Sequence, residues 1–355
     1  MNRLGKYLLT MTLALGLAVP ASGQDIGETL KDLAEENAKG YLGPLATAFG
    51  TGMNSGTFRT AKPHKLLGFD LTLNVTMTAV PDAATTYVFT LPDRPYALPA
   101  IGGYTIEVPF SSIYESGYET PTFFGEDEPG VIPVDALGLR STVITELATE
   151  SGQSEDVVAS TFGTQIDAAI GTIPDFQTPG GLGFQVWPNI MPQFSLGLPF
   201  KTEVTLRGGS ISTDKGDITF GGFGAKIGLN QFIPTIPLVF PAISVGYYAS
   251  NMDFADIVVA KNSILTLQAS KSIPMLTVYG GLGLESSSID VEYALEYEDL
   301  DGITQTEDIA FSLDGDNSTR FIVGFRLKLL LLSINADYNV GEFAAYNLGV
   351  GLTFR

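Results

Sequence analysis

The end of the chain alternates almost strictly between apolar side chains and small or polar ones. After Phe343 the apolar positions are Ala344, Tyr346, Leu348, Val350, Leu352 and Phe354. The positions between them are Ala345, Asn347, Gly349, Gly351 and Thr353. A period of two predicts a β-strand with one apolar face. Such a strand suits a barrel that contacts hydrocarbon outside and encloses a wet lumen.

The segment between Leu66 and Val80 shows the same period. Its apolar side is Leu67, Phe69, Leu71, Leu73, Val75 and Met77, and its other side is Asp70, Thr72, Asn74, Thr76 and Thr78. The candidate strands of the whole chain are 66–80, 84–92, 103–111, 181–190, 200–210, 216–230, 237–251, 256–270, 274–297, 318–328, 331–340 and 343–355. We therefore expect an all-β fold, a transmembrane antiparallel β-barrel of about 12 strands within a range of roughly 10 to 14.

The first residues have the pattern of a secretory signal peptide. Arg3 and Lys6 precede an apolar run over 7–19, and small residues over 21–23 allow cleavage near Gly23. The run is shorter than the roughly 20 apolar residues that a retained helical anchor needs. We expect residues 1–23 to be removed on export and the mature protein to reside in the outer membrane.

Residues 24–56 are expected to form an N-terminal helical plug. Apolar residues recur at helical spacing over 25–39, and Gly40 is a typical stop signal. The segment would lie in the lumen or, alternatively, rest outside the rim. Residues 57–355 then form the barrel, within which 112–180 is a long acidic loop region, either extracellular or folded into the lumen.

Composition excludes several classes of function. The chain has no Cys, one His and a formal net charge of −20, from 19 basic and 39 acidic residues. So acidic a chain is unsuited to nucleic acid. With His64 as the lone histidine, neither a multi-histidine metal site nor an obvious catalytic triad is available. We expect no cofactor, no metal and no enzymatic activity.

Strand parity identifies charged residues on the lumen side. Within 321–329 the apolar residues face lipid, which leaves Arg326 and Lys328 inside. The full set of candidate lumen or ligand contacts is Asp70, Glu203, Arg207, Lys226, Glu285, Arg326 and Asp337. These charges would either select permeants or form a self-neutralising network that fills the lumen.

A basic cluster precedes the first long strand, formed by Arg59, Lys62, His64 and Lys65. It would contact an anion or ligand at the lumen entrance. Alternatively, it is a rim segment whose cations pair with nearby acids, with Pro63 ordering the path into the strand.

Four stretches resemble signature segments of an uncharacterised family of exported barrel proteins in Gram-negative bacteria. They are 61–70 (AKPHKLLGFD), 121–125 (PTFFG), 201–207 (KTEVTLR) and 270–281 (SKSIPMLTVYGG). The resemblance implies a fold and an outer-membrane location but no activity. Phe354 near the terminus resembles the aromatic C-terminal signal of such barrels, which implies the barrel-assembly machinery as a partner. A looser similarity of architecture is to the long-chain fatty-acid channels.

The expected function is therefore a passive channel or binding protein for a small, amphipathic solute, with outer-membrane lipid as its other partner. The alternative is a non-conducting structural or surface-interaction barrel that displays the acidic 112–180 region. A continuous lumen path would favour the first function. Charged pairs that close every layer of the lumen would favour the second.

Overall fold

A computed structural model describes residues 23–91, 95–213, 216–232, 240–254, 258–298 and 304–354. The expected signal peptide lies outside the described residues except for Gly23, as does Arg355. The chain divides into two compact units. The barrel unit comprises Gly43–Asp82, Gln185–Tyr293 and Ala310–Arg355, and the second unit comprises Met1–Leu42, Ala83–Phe184 and Ala294–Ile309.

The described strands are numbered along the chain. They are β1 (Phe69–Ala79), β2 (Thr86–Val88), β3 (Pro95–Ala97), β4 (Glu107–Pro109), β5 (Glu119–Pro121), β6 (Val131–Ile132), β7 (Phe176–Gln177), β8 (Val186–Leu198), β9 (Thr202–Thr213), β10 (Gly216–Gly228), β11 (Ala242–Phe254), β12 (Val258–Ile273), β13 (Leu276–Glu298), β14 (Thr304–Asp314), β15 (Thr319–Leu329), β16 (Leu332–Val340) and β17 (Ala344–Phe354). The described helices are α1 (Gly23–Asn54), α2 (Ala136–Ser151) and α3 (Glu155–Ile170).

Ten of the described strands form one closed antiparallel ring. Their order is β1, β8, β9, β10, β11, β12, β13, β15, β16 and β17, and β17 pairs back to β1 with Phe69 opposite Phe354. β15 pairs with β13 over 276–284, and β14 also pairs with β13. Closure gives every ring strand two neighbours, so no edge is left to aggregate. We call the end at which β1 begins the near end, and the opposite end the far end.

Two of the expected strands are not part of the ring. Residues 84–92 and 103–111 contain only the three-residue strands β2 and β4, which pair with β5 and β3 in separate small sheets. Their apolar residues Phe89, Ile106 and Val108 are buried in a protein core. Short alternation cannot distinguish a lipid-facing strand from one packed on protein. The count of about twelve is thus corrected to ten, the lower limit of the expected range.

The strand expected over 181–190 is displaced toward the C-terminus. β8 runs from Val186 to Leu198 and contains Pro188 and Pro192. Proline is rare inside strands because it lacks the N–H donor, so the two prolines obscured the pattern in the sequence. The ring pairs β8 with β1 through this whole stretch, from Val186 opposite Ala79 to Leu196 opposite Phe69.

The outer surface of the ring carries an apolar belt. Its exposed side chains include Leu71, Leu73, Ile190, Phe194, Leu206, Phe223, Leu265, Leu267, Leu282, Leu284, Phe321, Val323, Phe325, Leu348, Val350 and Leu352. Tyr338 stacks on Tyr346 at 4.8 Å toward the far end, and Phe69 lies 5.7 Å from Phe354 at the near end. From Tyr346 to Phe354 the strand rises roughly 27 Å, or about 20 Å after tilt, which matches a lipid-facing band.

α1 is longer than the helix expected over 25–39, because Gly40 does not end it. The helix continues through Pro44 to Asn54. Gly40 faces the ring of Tyr87 so closely that a side chain would collide with it. Tertiary packing therefore explains this glycine, and the helix passes it despite its low helix propensity.

The second unit has its own apolar core, and the 112–180 region, expected to be a long acidic loop region, contributes two helices to it. Its helices bury Leu139, Val143 and Leu147 from α2 and Val158 and Ile166 from α3. These side chains pack with those of the small sheets, including Phe89, Val108, Phe110, Ile113, Ile132 and Phe176. Burial raises the pKa of Tyr114 in this core to about 12. Among the described residues, no helix is both long and apolar enough to cross a membrane.

Candidate functional site

The inward positions of the ring are polar or charged, and they contact a segment of the chain that precedes β1. We call residues 43–65 the inner segment; it consists of the end of α1 and the non-helical chain that follows. Its residues 46–61 are all buried. Its contacts with the ring occur at successive levels from the near end to the far end, and they form the candidate site.

We call the ten-stranded ring the wall. At the near end, Glu203 of β9 joins the inner segment to the wall. Its carboxylate accepts hydrogen bonds from the backbone N–H of His64 at 2.9 Å and lies 2.8 Å from the His64 ring Nδ1. The Lys226 ammonium lies 2.9 Å from the same carboxylate and donates to the carbonyl of Thr60 at 3.0 Å. Ser270 accepts from the N–H of Ala61 at 2.9 Å. Three ring strands thus hold this part of the segment.

At the next level, Asp70 lies between two arginines. Arg59 of the inner segment donates two hydrogen bonds to its carboxylate, at 2.7 and 3.2 Å. Arg326 of β15 donates to the same carboxylate at 3.2 Å. The hydroxyl of Thr72 also donates to Asp70. Two planar guanidiniums on one fully buried carboxylate form a charge-assisted cluster that is costly to disrupt.

Arg207 of β9 binds the C-terminal end of α1. Its guanidinium donates to the carbonyls of Met53 and Ser55, each at 2.7 Å. The last carbonyls of a helix have no intrahelical donors and carry a partial negative charge. Within the described part of the chain Arg207 forms no ion pair, so the helix terminus provides its compensating charge.

Beyond the helix end, Arg320 and Glu285 form a buried ion pair at 2.8 Å. Arg320 also donates to the hydroxyl of Ser55 at 2.7 Å, while the amide of Asn54 donates to Glu285 at 3.1 Å. Both partners of the pair therefore also bind the inner segment. A wall pair and the helix terminus are linked in one network.

Toward the far end, the loop between β14 and β15 contacts the helix. The amide of Asn317 donates to the carbonyl of Thr47 at 3.0 Å and to the hydroxyl of Thr51 at 2.8 Å. The backbone N–H of Asp316 donates to the Thr47 hydroxyl at 3.0 Å. The inner segment therefore descends from the far half of the ring at Thr47 to its near end at His64.

Aromatic side chains supplement these polar contacts. Phe49 of α1 packs edge-on against Trp187 of β8, with ring centroids 6.5 Å apart. Phe58 packs against Tyr279 with ring centroids 5.7 Å apart and is buried together with Ile322. Gly281 lies under the Phe58 ring, where any side chain would collide with it. This glycine therefore provides room for the inner segment.

Asp337 forms a separate cluster on the wall. It accepts hydrogen bonds from Tyr279 at 2.9 Å, Asn347 at 2.8 Å and Asn339 at 2.7 Å. Three neutral donors satisfy the carboxylate without an ion pair. The cluster crosslinks β13, β16 and β17 near the closing seam of the ring.

The structure places all seven candidate lumen residues on the inner side of the ring, where each is buried. It brings six of them into contact with the inner segment or its partners, and Asp337 stands in its own cluster. Lys328, expected inside, is instead exposed because β15 has reached the near end there. The basic cluster divides: Arg59 and His64 are paired with wall carboxylates, while Lys62 and Lys65 are exposed.

Sequence reasoning missed Arg320 and the carbonyls of the helix end. Arg320 has the same parity as Arg326, so extending the alternation by one residue, from Phe321 toward the start of the expected strand, would have found it. The carbonyls of Met53 and Ser55 leave no trace in residue type. Only the three-dimensional path of the inner segment reveals that Arg207 faces them.

The described residues contain no group of three or more His, Asp or Glu side chains arranged to hold a metal ion. The ring nitrogens of His64 face Glu203 and Thr353, the latter at 3.4 Å. Chemically, the site is a network of hydrogen bonds and ion pairs. Its arrangement fixes one segment of chain inside the ring.

Solved structures with some similarity include three proteins from bacterial outer membranes or secretion systems. OmpT, an outer membrane protein of Vibrio cholerae, has a TM-score of 0.23 and 15% identity over 46% of this chain and 54% of that chain, so the match spans about half of OmpT. The translocator domain of the autotransporter NalP from Neisseria meningitidis has a TM-score of 0.27 and 11% identity over 90% of this chain and 98% of that domain. Ail, the attachment invasion locus protein of Yersinia pestis, solved with the heparin analogue sucrose octasulfate, has a TM-score of 0.20 and 7% identity over 81% of this chain and 97% of Ail.

At these TM-scores the similarities carry no information on function. A comparison with curated proteins finds no match. One family model, described as a family of unknown function (DUF6588), matches residues 1–354, almost the whole sequence. The expected membership of an uncharacterised barrel family is thereby confirmed. The chain belongs to the family of unknown function DUF6588.

Proposed function

We propose that the protein is an exported outer-membrane barrel whose lumen is closed by the inner segment, which acts as a plug. Removal of residues 1–23 as a signal peptide would deliver the chain to the periplasm. The apolar belt around the ring supports a position in a bilayer, since so many exposed aliphatic side chains would be unfavourable in water.

The observation that carries the proposal is the continuity of the network. Glu203 and Lys226 hold the inner segment at the near end, Asp70 and Arg326 hold it at the next level, and Arg207 holds the helix end. Further along, Arg320 and Asn317 repeat the arrangement. Each level of the lumen thus has a wall group bound to the segment, as a permanently filled barrel requires.

From this filling we infer a structural or surface-interaction role in preference to open conduction. The second unit, with its own apolar core, is then the part of the protein available for interaction, and its acidic 112–180 region is the candidate surface. Such a role needs no catalytic residues, and the absence of enzymatic activity remains our prediction.

A gated channel is the second candidate, favoured by the polarity of the interface between plug and wall. Many contacts of the inner segment with the ring are hydrogen bonds or ion pairs, which water can replace when the segment moves. Asn74 and Asn262 are buried on the wall, and the described residues provide no hydrogen-bond partner for their amides. A hydrated lumen would satisfy them. The passage of a small, amphipathic solute therefore remains a prediction of the sequence.

Conductance of the purified protein in planar bilayers tests the proposal. We expect no steady current from the wild type at low voltage, because the plug fills the lumen. Moderate urea should release the polar contacts of the plug before it opens the strand ring, and current should then appear. Steady wild-type conductance without urea would overturn the closed barrel and favour the channel.

The variant Asp70→Ala makes the test specific for the network. It removes the carboxylate between Arg59 and Arg326, so we expect current at a lower urea concentration than for the wild type. Asp290→Ala is the matched control, since Asp290 pairs with Lys261 at an exposed site. Equal urea thresholds for all three proteins would show that the network does not close the lumen.

A further inference from the structure

The turns at the near end of the ring have an unusual backbone. All five non-glycine residues with positive φ in the described chain lie there: Leu67, Phe200, Lys201, Met275 and Leu330, with φ between 48 and 71°. Tight hairpin turns normally place Gly, Asn or Asp at such positions, because a bulky side chain is strained in the left-handed region. This end of the molecule retains large side chains despite that cost.

The same side chains are among the most exposed apolar groups of the protein. Phe200 is 84% exposed, Leu330 is 91% exposed and Met275 is 61% exposed. Leu66, Leu67, Ile273 and Leu331 add further exposed apolar surface at this end. We call these seven residues the apolar tips. They do not stabilise the fold by packing, so a contact outside the chain is needed to explain them.

Lysines accompany the apolar tips. Lys62, Lys65, Lys201 and Lys328 are exposed at this end, and so is Lys271. Among the described residues here, the acids are Asp70 and Glu203, and both are buried in the lumen. At the far end the exposed charges include Glu292, Asp314, Asp316 and Glu342. Among the described residues of the near end, the exposed charges are therefore positive, in a chain whose net charge is −20.

We propose that the near end is a binding collar for anionic phospholipid, in which the apolar tips enter the acyl region and the lysines bind lipid phosphates. Lysine is suited to this position because its long aliphatic stem can lie along apolar surface while its ammonium reaches the headgroups. Juxtamembrane basic residues attract anionic lipid surfaces, and the attraction increases with their number.

The distribution around the ring favours a lipid surface over a protein partner. The tips and lysines come from the start of β1, the β8–β9 turn, the β12–β13 turn and the β15–β16 turn, so they are spread around the whole circumference. A membrane leaflet meets a barrel in such a ring. A compact acidic protein would need the groups gathered on one side.

Native mass spectrometry of the full-length protein in detergent tests the lysines. We expect phosphatidylglycerol to be retained at least tenfold more tightly than phosphatidylcholine, and the preference to disappear when Lys62, Lys65, Lys201 and Lys328 are all replaced by Gln. Lys261→Gln, an exposed lysine on the far half of β12, is the matched control and should keep the preference. Inorganic phosphate at equal concentration should not displace the lipid. An unchanged preference in the fourfold variant would overturn the collar.

Fluorescence quenching tests the apolar tips separately. Trp187 is the one tryptophan of the chain, so Phe200→Trp in a Trp187→Phe background gives a single reporter at the near end. In phosphatidylglycerol vesicles we expect quenching by phospholipid brominated on the acyl chain and protection from acrylamide. The reverse pattern would place the tip in water or against a soluble partner and reject the proposal.

The inference rests on the proposal that the ring spans a membrane, and the two can fail separately. A protein that does not enter vesicles at all would refute the membrane location. A protein that inserts into vesicles, but shows neither lipid preference nor quenching by bromolipid, would refute only the collar.

Discussion

At the scale of single residues, the interior of the ring depends on carboxylates that each bind more than one basic side chain. Asp70 receives Arg59 and Arg326, while Glu203 receives Lys226 and His64. A buried charge pair contributes little net stability relative to apolar residues, but removing one partner leaves an uncompensated charge. The lumen should therefore tolerate substitution of these residues poorly.

Asp70→Asn should lower the free energy of unfolding by about 3 to 5 kcal/mol, because it leaves two buried guanidiniums without a carboxylate. Urea unfolding in vesicles, followed by the fluorescence of Trp187, measures the change. Asp290→Asn provides the comparison at an exposed pair and should cost about 1 kcal/mol or less. Equal costs for the two variants would contradict the importance of the buried cluster.

Arg207→Met should loosen the end of α1, because the carbonyls of Met53 and Ser55 lose their donors. We expect faster hydrogen exchange of the backbone amides over 47–56, measured by mass spectrometry on peptides from the folded protein. Arg140→Met changes an exposed arginine of the second unit and should leave that exchange unchanged. Protection that survives in Arg207→Met would show that other contacts hold the helix end.

The sequence predicts the direction of these side chains but not their partners. Parity along β9 and β15 is enough to place Glu203, Arg207 and Arg326 on the inner side. The partners of Arg207, and His64 as a partner of Glu203, come from the inner segment. That segment has neither a period of two nor a continuous helical period. Its path through the ring results from many separate contacts, and no local pattern encodes it.

At the scale of elements, a long and regular alternation of apolar and polar residues predicts a ring strand dependably, whereas a short alternation does not. β1, β16 and β17 lie within the expected ranges, while β2 and β4 replace two expected ring strands. A three-residue strand can bury its apolar face in any core, so its pattern carries no information about lipid. The end of α1 was equally difficult to predict, because a glycine such as Gly40 can be required for close packing as well as for helix termination.

The glycines of α1 provide a test at this scale. Gly43 has open space around the position of a side chain, whereas a methyl group at Gly50 would collide with Ser287. We expect Gly43→Ala to change the free energy of unfolding by no more than about 1 kcal/mol, because the gain in helix propensity is opposed by the contact of the new Cβ with the ring of Pro44. Gly50→Ala should destabilise by about 1 to 3 kcal/mol through overpacking. Urea unfolding compares the two, and a gain in both would mean that α1 does not pack closely on the wall.

At the scale of the whole molecule, the chain contains two units with different kinds of interior. The barrel unit buries charges and exposes aliphatic side chains, whereas the second unit buries an apolar core. The period of two along the ring strands predicts the polar interior of the barrel unit. The sequence does not reveal the apolar core of the second unit, because 112–180 lacks a long period and its acidic composition is typical of a loop.

Leu147→Ala should unfold the second unit without opening the barrel. Leu147 is completely buried in the apolar core, so the loss should be about 2 to 5 kcal/mol. We expect the helical circular dichroism signal to melt at a lower temperature while the unheated protein keeps its compact mobility in SDS gels. Leu137→Ala, at an 84% exposed position of α2, should change the free energy of unfolding by no more than about 0.5 kcal/mol and leave the melting temperature close to that of the wild type. Loss of both properties together would show that the units are not independent.

The pairing of β1 with β17 fixes the order of events during biogenesis. The inner segment is translated before any ring strand, yet it ends up surrounded by all of them. The first and last strands must meet to complete the circle, and we expect the segment to collect against the concave side of the sheet before they do. In a mutant that delays this step, the barrel would close with an empty lumen. Failed maturation would then yield a folded, hollow barrel rather than an unfolded chain.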